Sequence, residues 1–258
     1  MNIAMVRDLI SKSFGEEKEE VINLYEKYLL AKEKDIVVFG REFYTPNVWK
    51  WFEKNLQSKS VKIESYGIFE EAERRMISFN NLYNTNFPVN LIKITNKSKF
   101  SELTHRDYLG GILGLGIERN KIGDLFVEDN SCYVAVHEEI QDFILYNIEK
   151  IGKATCKVEL IEDMSLLPHV NFKEEIIMVS SLRIDGIVSK LCNISRAKAQ
   201  SLIDQGQVLI DYAKIRDKSY ELKGEERITI RKHGKFIVGN IIGTSKSGKL
   251  KVIIKKYT

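Results

Sequence analysis

The stretch NISRAKAQSLIDQGQVLI, Asn193 to Ile210, decides how the C-terminal third of this chain is read. Its pattern predicts a short basic helix, a glycine stop and a strand. Ser195 is placed to cap the helix, because its hydroxyl can accept a bond from an unpaired N–H of the first turn. Ala199, Leu202 and Ile203 follow at helical spacing, and Gly206 suits the left-handed position just past a helix end. Arg196 and Lys198 fall in the first turn, off the apolar stripe. Cations there oppose the helix dipole, so helix stability does not account for them; a polyanion would.

A second helix precedes this one, with Ile184, Ile187, Val188 and Leu191 at spacings of three and four and Asp185 as a cap. Two short helices with matching apolar stripes can pack together, so that Arg183, Lys190, Arg196 and Lys198 share an exposed surface, to which Ser195 and Gln200 add hydrogen-bonding groups. Lys214, Arg216 and Lys218 follow, then Gly224 and the alternating strand Arg227–Arg231. Charge reversal at Arg196 and Lys198 is therefore expected to weaken binding of a polyanion while sparing the fold. LRID at Leu182–Asp185, Ser195-Arg196, KAQ at Lys198–Gln200, Leu202–Gly206, Val208–Ile210 and Gly224 together resemble the S-four (alpha-L) RNA-binding domain. Two turn positions depart from that pattern: Asp211-Tyr212 stands for the usual Asn-Gly, and Gly224-Glu225 for Gly-Asp.

Outward from this region, charge separates the chain in two. The formal net charge of +4 is the sum of unequal parts. From Ser181 to Thr258 there are 17 Lys+Arg against 7 Asp+Glu, leaving 23 against 29 for the first 180 residues. A basic third on an acidic remainder implies a localised anionic partner. At 258 residues the chain has room for two or three domains. No apolar run approaches the length of a membrane span, and the N-terminus lacks the apolar core of a signal peptide, so no membrane association and a cytoplasmic location are expected. Cys132, Cys156 and Cys192 are odd in number and widely spaced, which predicts free thiols.

Residues 1–85 are expected to form an N-terminal α-rich region: helices over Ile3–Ser13 and Glu16–Lys32, a short strand Ile36–Phe39, and a helix opened by Thr45-Pro46, where proline's missing N–H costs nothing. Trp49, Trp51 and Phe52 read as core. Val61–Tyr66 alternates as a strand, and Ile68–Met76 reads as a charged helix whose Glu71, Glu73, Arg74 and Arg75 form a solvated face. The asparagine-rich Asn80–Pro88 is the expected linker. Residues 86–165 then run strand, helix, strand, strand, helix, strand (Leu91–Thr95, Glu102–Leu115, Ile122–Val127, Cys132–His137, Glu138–Lys150, Thr155–Ile161), with Asp129-Asn130 turning the central hairpin. This is the order of a ferredoxin-like, RRM-like βαββαβ sandwich. The RRM stacking signature is missing, though Phe126 and Tyr133 could form a minimal platform for bases. Residues 181–258 hold the S-four-like domain and a lysine-rich β-hairpin, Phe236–Tyr257. The fold class expected is therefore α+β: an N-terminal α/β region, an RRM-like middle domain and an S-four domain with a hairpin extension.

The stretch Thr104–Val127, THRDYLGGILGLGIERNKIGDLFV, carries Gly110, Gly111, Gly114 and Gly116 close together but no phosphate-loop order. His105-Arg106-Asp107 lacks the downstream asparagine and DFG of a kinase. A pseudouridine-synthase role for Asp107 lacks the leucine and the Thr-Ser-Gly that accompany it. The four histidines, His105, His137, His169 and His233, have no metal-ligand spacing, so no metal, cofactor or catalytic residue is expected. His105, Arg106, Gly110, Gly111, Arg119 and Lys121 form either a second RNA surface or a packing surface. HRDYLGGILGLGIERNKIGDLFV, with EEAERR at Glu70–Arg75, resembles the signature of YlmH-type RNA-binding proteins, and the likeness spans essentially the full length. That resemblance implies a bacterial, non-enzymatic factor of translation whose partners are structured rRNA and tRNA on the large ribosomal subunit, acting in quality control of stalled nascent chains; nothing in the sequence suggests an obligate oligomer, so a monomer is expected. The alternative is an RNA-modifying enzyme, pseudouridine-synthase-like or methyltransferase-like, that uses the basic domain to deliver RNA.

Overall fold

The structure is a computed structural model and describes residues 2–99, 101–163, 167 and 172–257. It divides into two compact units, Met1–His169 and Val170–Thr258.

The first unit opens with helices α1 (Ile3–Phe14) and α2 (Lys18–Lys34). A short strand β1 (Val38–Phe39) and helix α3 (Pro46–Leu56) follow, the latter with Thr45 as N-cap and Pro46 in its first turn, as expected. Strands β2 (Ile63–Tyr66) and β3 (Met76–Phe79) complete a three-stranded sheet of order β1-β3-β2. Val21, Leu24, Tyr28, Trp49, Phe52 and Phe79 are buried together between the helices and this sheet.

The expected helix Ile68–Met76 does not form; Phe69–Arg74 is a run of turns and bends that leads directly into β3. An acceptor distant in sequence takes the amides that a helix would have used. The Asp124 carboxylate accepts from the backbone N–H of Glu73 at 2.5 Å and of Arg74 at 3.1 Å. The charges are not a solvated face either. Glu73 is buried, and the Arg75 guanidinium lies 4.7 Å from the centre of the Trp49 ring.

The same unit continues through β4 (Val89–Asn96), α4 (His105–Leu113), β5 (Ile122–Glu128), β6 (Ser131–His137), α5 (Glu138–Asn147), β7 (Lys150–Ile151) and β8 (Ala154–Ile161). Strands β5-β6-β4-β8-β7 form a five-stranded antiparallel sheet, with Asp129 turning the β5–β6 hairpin at φ 51°. One face of this sheet buries Ile92, Ile94, Val134 and Val136 under Tyr108, Ile112 and Ile144 of the two helices. The other face is covered as well. Leu91, Tyr133 and Ala135 pack with Phe43, Phe69, Ala72 and Met76, so residues on both sides of the expected 85/86 boundary share one core. The asparagine-rich stretch is likewise held: Asn80 and Asn81 are buried, and Asn80 donates to the Ala31 carbonyl at 2.9 Å.

The second unit begins with a strand that periodicity did not single out, β9 (Phe172–Val179). Then come α6 (Ile184–Leu191), α7 (Arg196–Asp204), β10 (Val208–Ile210), β11 (Ala213–Lys214), β12 (Arg227–Ile230), β13 (Gly234–Thr244) and β14 (Leu250–Tyr257). They form one six-stranded sheet, β11-β10-β12-β13-β14-β9. The expected lysine-rich hairpin is β13–β14, and β9 pairs with β14 along its whole length, Phe172 opposite Tyr257 through Val179 opposite Leu250. The sheet and the two helices bury Ile184, Ile187, Val188, Ala199 and Ile203 against Val208, Ile228, Val238 and Ile254.

Candidate nucleic-acid interface

Helices α6 and α7 are joined by a buried carboxylate. Asp185 was expected as a helix cap; the N-cap is Arg183, and Asp185 sits inside the first turn with no exposed surface. It accepts from three side chains. Arg196 donates Nε and Nη2 to its two oxygens at 2.9 Å each, Gln200 donates Nε2 at 2.9 Å, and Arg183 donates Nε and Nη2 at 3.4 and 3.3 Å. Burial alone would raise this carboxyl, but the hydrogen bonds from Arg196, Gln200 and Arg183 outweigh it and hold the group well below the usual carboxylate range. Arg196, in turn, is pushed up by its bonds to Asp185.

Arg183, Arg196 and Gln200 are thus first of all the struts that lock α6 to α7. Their side chains are not withdrawn from solvent: Arg196 keeps 52% of its side-chain surface and Arg183 37%. Two of the five N–H donors of a guanidinium are used in such a fork, so each arginine still presents donors outward. Against the sequence expectation, charge reversal at Arg196 is expected to cost stability, because a glutamate there would face the buried Asp185.

The other residues singled out from sequence are arranged around this hub. Ser195 caps α7 as expected, accepting from Lys198 N at 3.3 Å, and Gly206 closes the helix at φ +64°. Lys190, Lys198, Lys214 and Arg216 are exposed, and among the described residues none of the four has an ion-pair partner. Lys218 differs: it pairs with Asp204 at 2.8 Å, an exposed bridge of little energetic worth. At the departed turn, Asp211 and Tyr212 both take positive φ, 46° and 73°. Lys235 lies over the Tyr212 ring and donates to its hydroxyl at 2.9 Å.

The second set does not form one surface. Arg119 donates to the carbonyls of Ile122 and Gly123, and Lys121 to the carbonyl of Arg41 and to Glu139. Both lie where the loop around Phe43 meets the sheet, since Phe43 N also bonds Asn120 O at 2.7 Å. His105, Arg106 and Gly110 are exposed on the first turns of α4, and Gly111 is wedged on Ile151, where an added Cβ would lie 2.8 Å from Cγ1. Asp107 is spent on its own helix, accepting from Thr104 N and Oγ1, and these bonds lower its pKa. The aromatic platform is closed: the Phe126 ring lies 4.3 Å from that of Phe69, and Tyr133 is 9% exposed.

Among the described residues no group of three or more His, Cys, Asp or Glu is placed to hold a metal ion; His169 lies outside them. The three cysteines are free. No described helix is long and apolar enough to cross a membrane.

The second unit sets a helix pair carrying exposed cations on an antiparallel sheet, and a family model described as the S4 domain matches its residues 182–228. A second, described as a putative RNA-binding domain in YlmH, matches residues 83–165. A curated relative, the ribosome-associated protein quality control protein P2 of Bacillus subtilis (strain 168), is 28% identical over 195 residues, covering 74% of this chain and 76% of its own. Among solved structures, the cell division protein ylmH from Streptococcus pneumoniae aligns at 20% identity over 60% of this chain and 97% of that one, with a TM-score of 0.49, too loose a likeness to carry an argument. Together these matches support a YlmH-type RNA-binding protein with an S4 domain.

Proposed function

We propose that this protein is a non-catalytic, cytoplasmic factor of translation that binds structured ribosomal or transfer RNA on the large ribosomal subunit during quality control of stalled nascent chains. The observation that carries the RNA contact is the Asp185 hub. It fixes α6 against α7 and leaves Lys190, Lys198, Lys214 and Arg216 exposed around it. Structured RNA hides its base edges in a deep groove, so recognition runs through phosphates and 2′-hydroxyls, which suits a rigid frame of cations. Arg183 and Arg196 contribute their outward N–H donors, and Ser195 and Gln200 the neighbouring hydrogen-bonding groups. The link to the ribosome is supported by the name of the curated relative. For the middle domain we keep the RRM-like reading, supported by the strand order β5-β6-β4-β8 with α4 and α5 on one face.

The test is sedimentation of the tagged, full-length protein from cell lysate, with sequencing of the RNA that travels with it. Co-migration with free large subunits carrying transfer RNA is expected, and migration at the top of the gradient would overturn the ribosomal part of the reading. With purified large-subunit RNA, four neutralised phosphates predict that log affinity falls against log salt with a slope of roughly −2.8 to −3.6. A salt-independent affinity would overturn the phosphate contacts. The modifying-enzyme alternative requires a nucleoside modification that disappears when the gene is deleted, which mass mapping of ribosomal and transfer RNA would reveal.

A further inference from the structure

The RNA-binding assignment of residues 83–165 does not say where on that domain the nucleic acid lies. On an RRM-type sheet the expected place is the open face, where aromatic side chains stack on bases. Here that face carries Leu91, Tyr133, Ala135 and Phe126, and Phe43, Phe69, Ala72 and Met76 of the same unit are packed on it. An added Cβ at Gly123, on the same face, would lie 2.8 Å from the Phe43 ring, so that contact is tight. Stacked bases have no room there.

The helical side of the domain offers a different surface. A groove of about 500 Å³ runs between the first turns of α4 and the β7–β8 turn, lined among others by Arg106, Gly110, Gly152 and Lys153. At Gly110 and Gly152 an added Cβ would meet no atom within 4 Å, and both residues are exposed, so the backbone lies bare on either wall. Gly152 stands at φ +58°, a conformation that glycine takes without strain and that holds this tight turn open.

Two exposed cations, Arg106 and Lys153, line the same groove. Among the described residues neither has an ion-pair partner. Glu102 and Asp107 also line the groove. Asp107 is locked in its capping box and occupies the N-terminus of α4, so an anion would be held by the side chains and the bare glycine backbone rather than by that helix end.

We propose that this groove, and not the sheet face, is where the domain at residues 83–165 binds an RNA sugar–phosphate backbone. Arg106 and Lys153 contact phosphates, and Gly110 and Gly152 let the strand approach the main chain. The proposal rests on the reading of this protein as an RNA-binding factor, and its test separates the two. Full-length protein is titrated with radiolabelled large-subunit ribosomal RNA by filter binding over a salt series. Two double variants are compared, Arg106→Gln/Lys153→Gln in the groove and Lys198→Gln/Lys214→Gln in the S4 domain. The groove variant is expected to flatten the log–log salt slope by about 1.4 to 1.8, two phosphates' worth, with an unchanged thermal midpoint. Gly110→Glu, placed in open space, is expected to keep the midpoint and weaken binding severalfold. A groove variant with the wild-type slope, beside an S4 variant that loses slope, would overturn the groove and leave the RNA reading standing. Unchanged slopes in both would overturn both.

Discussion

Each of the two units contains a run of basic residues that looks like a binding surface in sequence, and they fold to opposite ends. In the first, Arg74 donates to the Phe43 carbonyl, Arg75 to the carbonyls of Ala72 and Glu70, Arg119 to Ile122 and Gly123, and Lys121 to Arg41. The charges there tie loops to one another. In the second, two arginines meet on Asp185 while Lys190, Lys198 and Lys214 remain in solvent. What decides the outcome is side-chain chemistry and the oxygen within reach. A guanidinium is planar, weakly hydrated and able to satisfy several acceptors at once, whereas an ammonium is a strongly hydrated point charge. In both units the arginines that reach such an oxygen link parts of the fold, as Lys121 also does, and Lys190, Lys198, Lys214 and Arg216 of the S4 unit are left to face a ligand.

The comparison breaks first at its anchors. Asp185→Ala removes the acceptor of three side chains and lets the two arginines repel each other. It is expected to cost about 3 kcal/mol, read as a lower thermal midpoint and faster amide exchange in α6 and α7. Asp124→Ala, the corresponding anchor of the first unit, frees the N–H groups of Glu73 and Arg74 and is expected to cost about 2 kcal/mol, with exchange rising in the Phe69–Arg75 turns. If neither variant loses stability, these arginine-rich runs do not owe their arrangement to a buried acceptor.

Acid sharpens the same point. The Asp185 carboxyl is depressed in the folded chain, so its stabilisation is fully present above the ordinary aspartate value of about 3.9. It is lost only as pH falls through the lower, folded value. The stability difference between wild type and Asp185→Asn is therefore expected to stay constant from pH 7 down to pH 5 and to shrink only in stronger acid. A difference that already fades near pH 5, followed by denaturant titration, would mean that Asp185 is not held ionised by its partners.

What was legible in the sequence follows from how local the deciding interaction is. The Ser195 cap, the apolar stripe of α7, the Gly206 stop and the Thr45-Pro46 start depend on residues within one or two turns, and the pattern carries them. The middle strands and helices are legible for the same reason, since their alternation marks buried faces. Ile68–Met76 misleads because its amides are taken by Asp124, some fifty residues away, and no local pattern records that. Strand β9 is hidden because FKEEIIMV lacks alternation: its partner β14 supplies the pairing, while Ile176 and Met178 stay exposed on an edge strand. Of the candidate site, the basic surface was readable from the SRAKAQ run, but the hub was not. Arg196 and Asp185 are eleven residues apart, and only the packing of two helices brings the fork and the carboxylate together.

The smallest effect on stability carries the finest test. Arg196→Lys keeps the charge and loses the fork that grips both Asp185 oxygens, because an ammonium cannot reproduce the paired geometry. Lys198→Ala does the reverse, removing an exposed charge that has no ion-pair partner among the described residues. If arginine links and lysine binds, Arg196→Lys lowers the thermal midpoint and leaves the salt slope of RNA binding intact. Lys198→Ala leaves the midpoint where it was and flattens the slope by about 0.7 to 0.9, one phosphate's worth. A crossed result, with the slope lost at Arg196 and the midpoint lost at Lys198, would mean that the outward donors of the fork do the binding. The division between the two residue types would then be one of exposure alone.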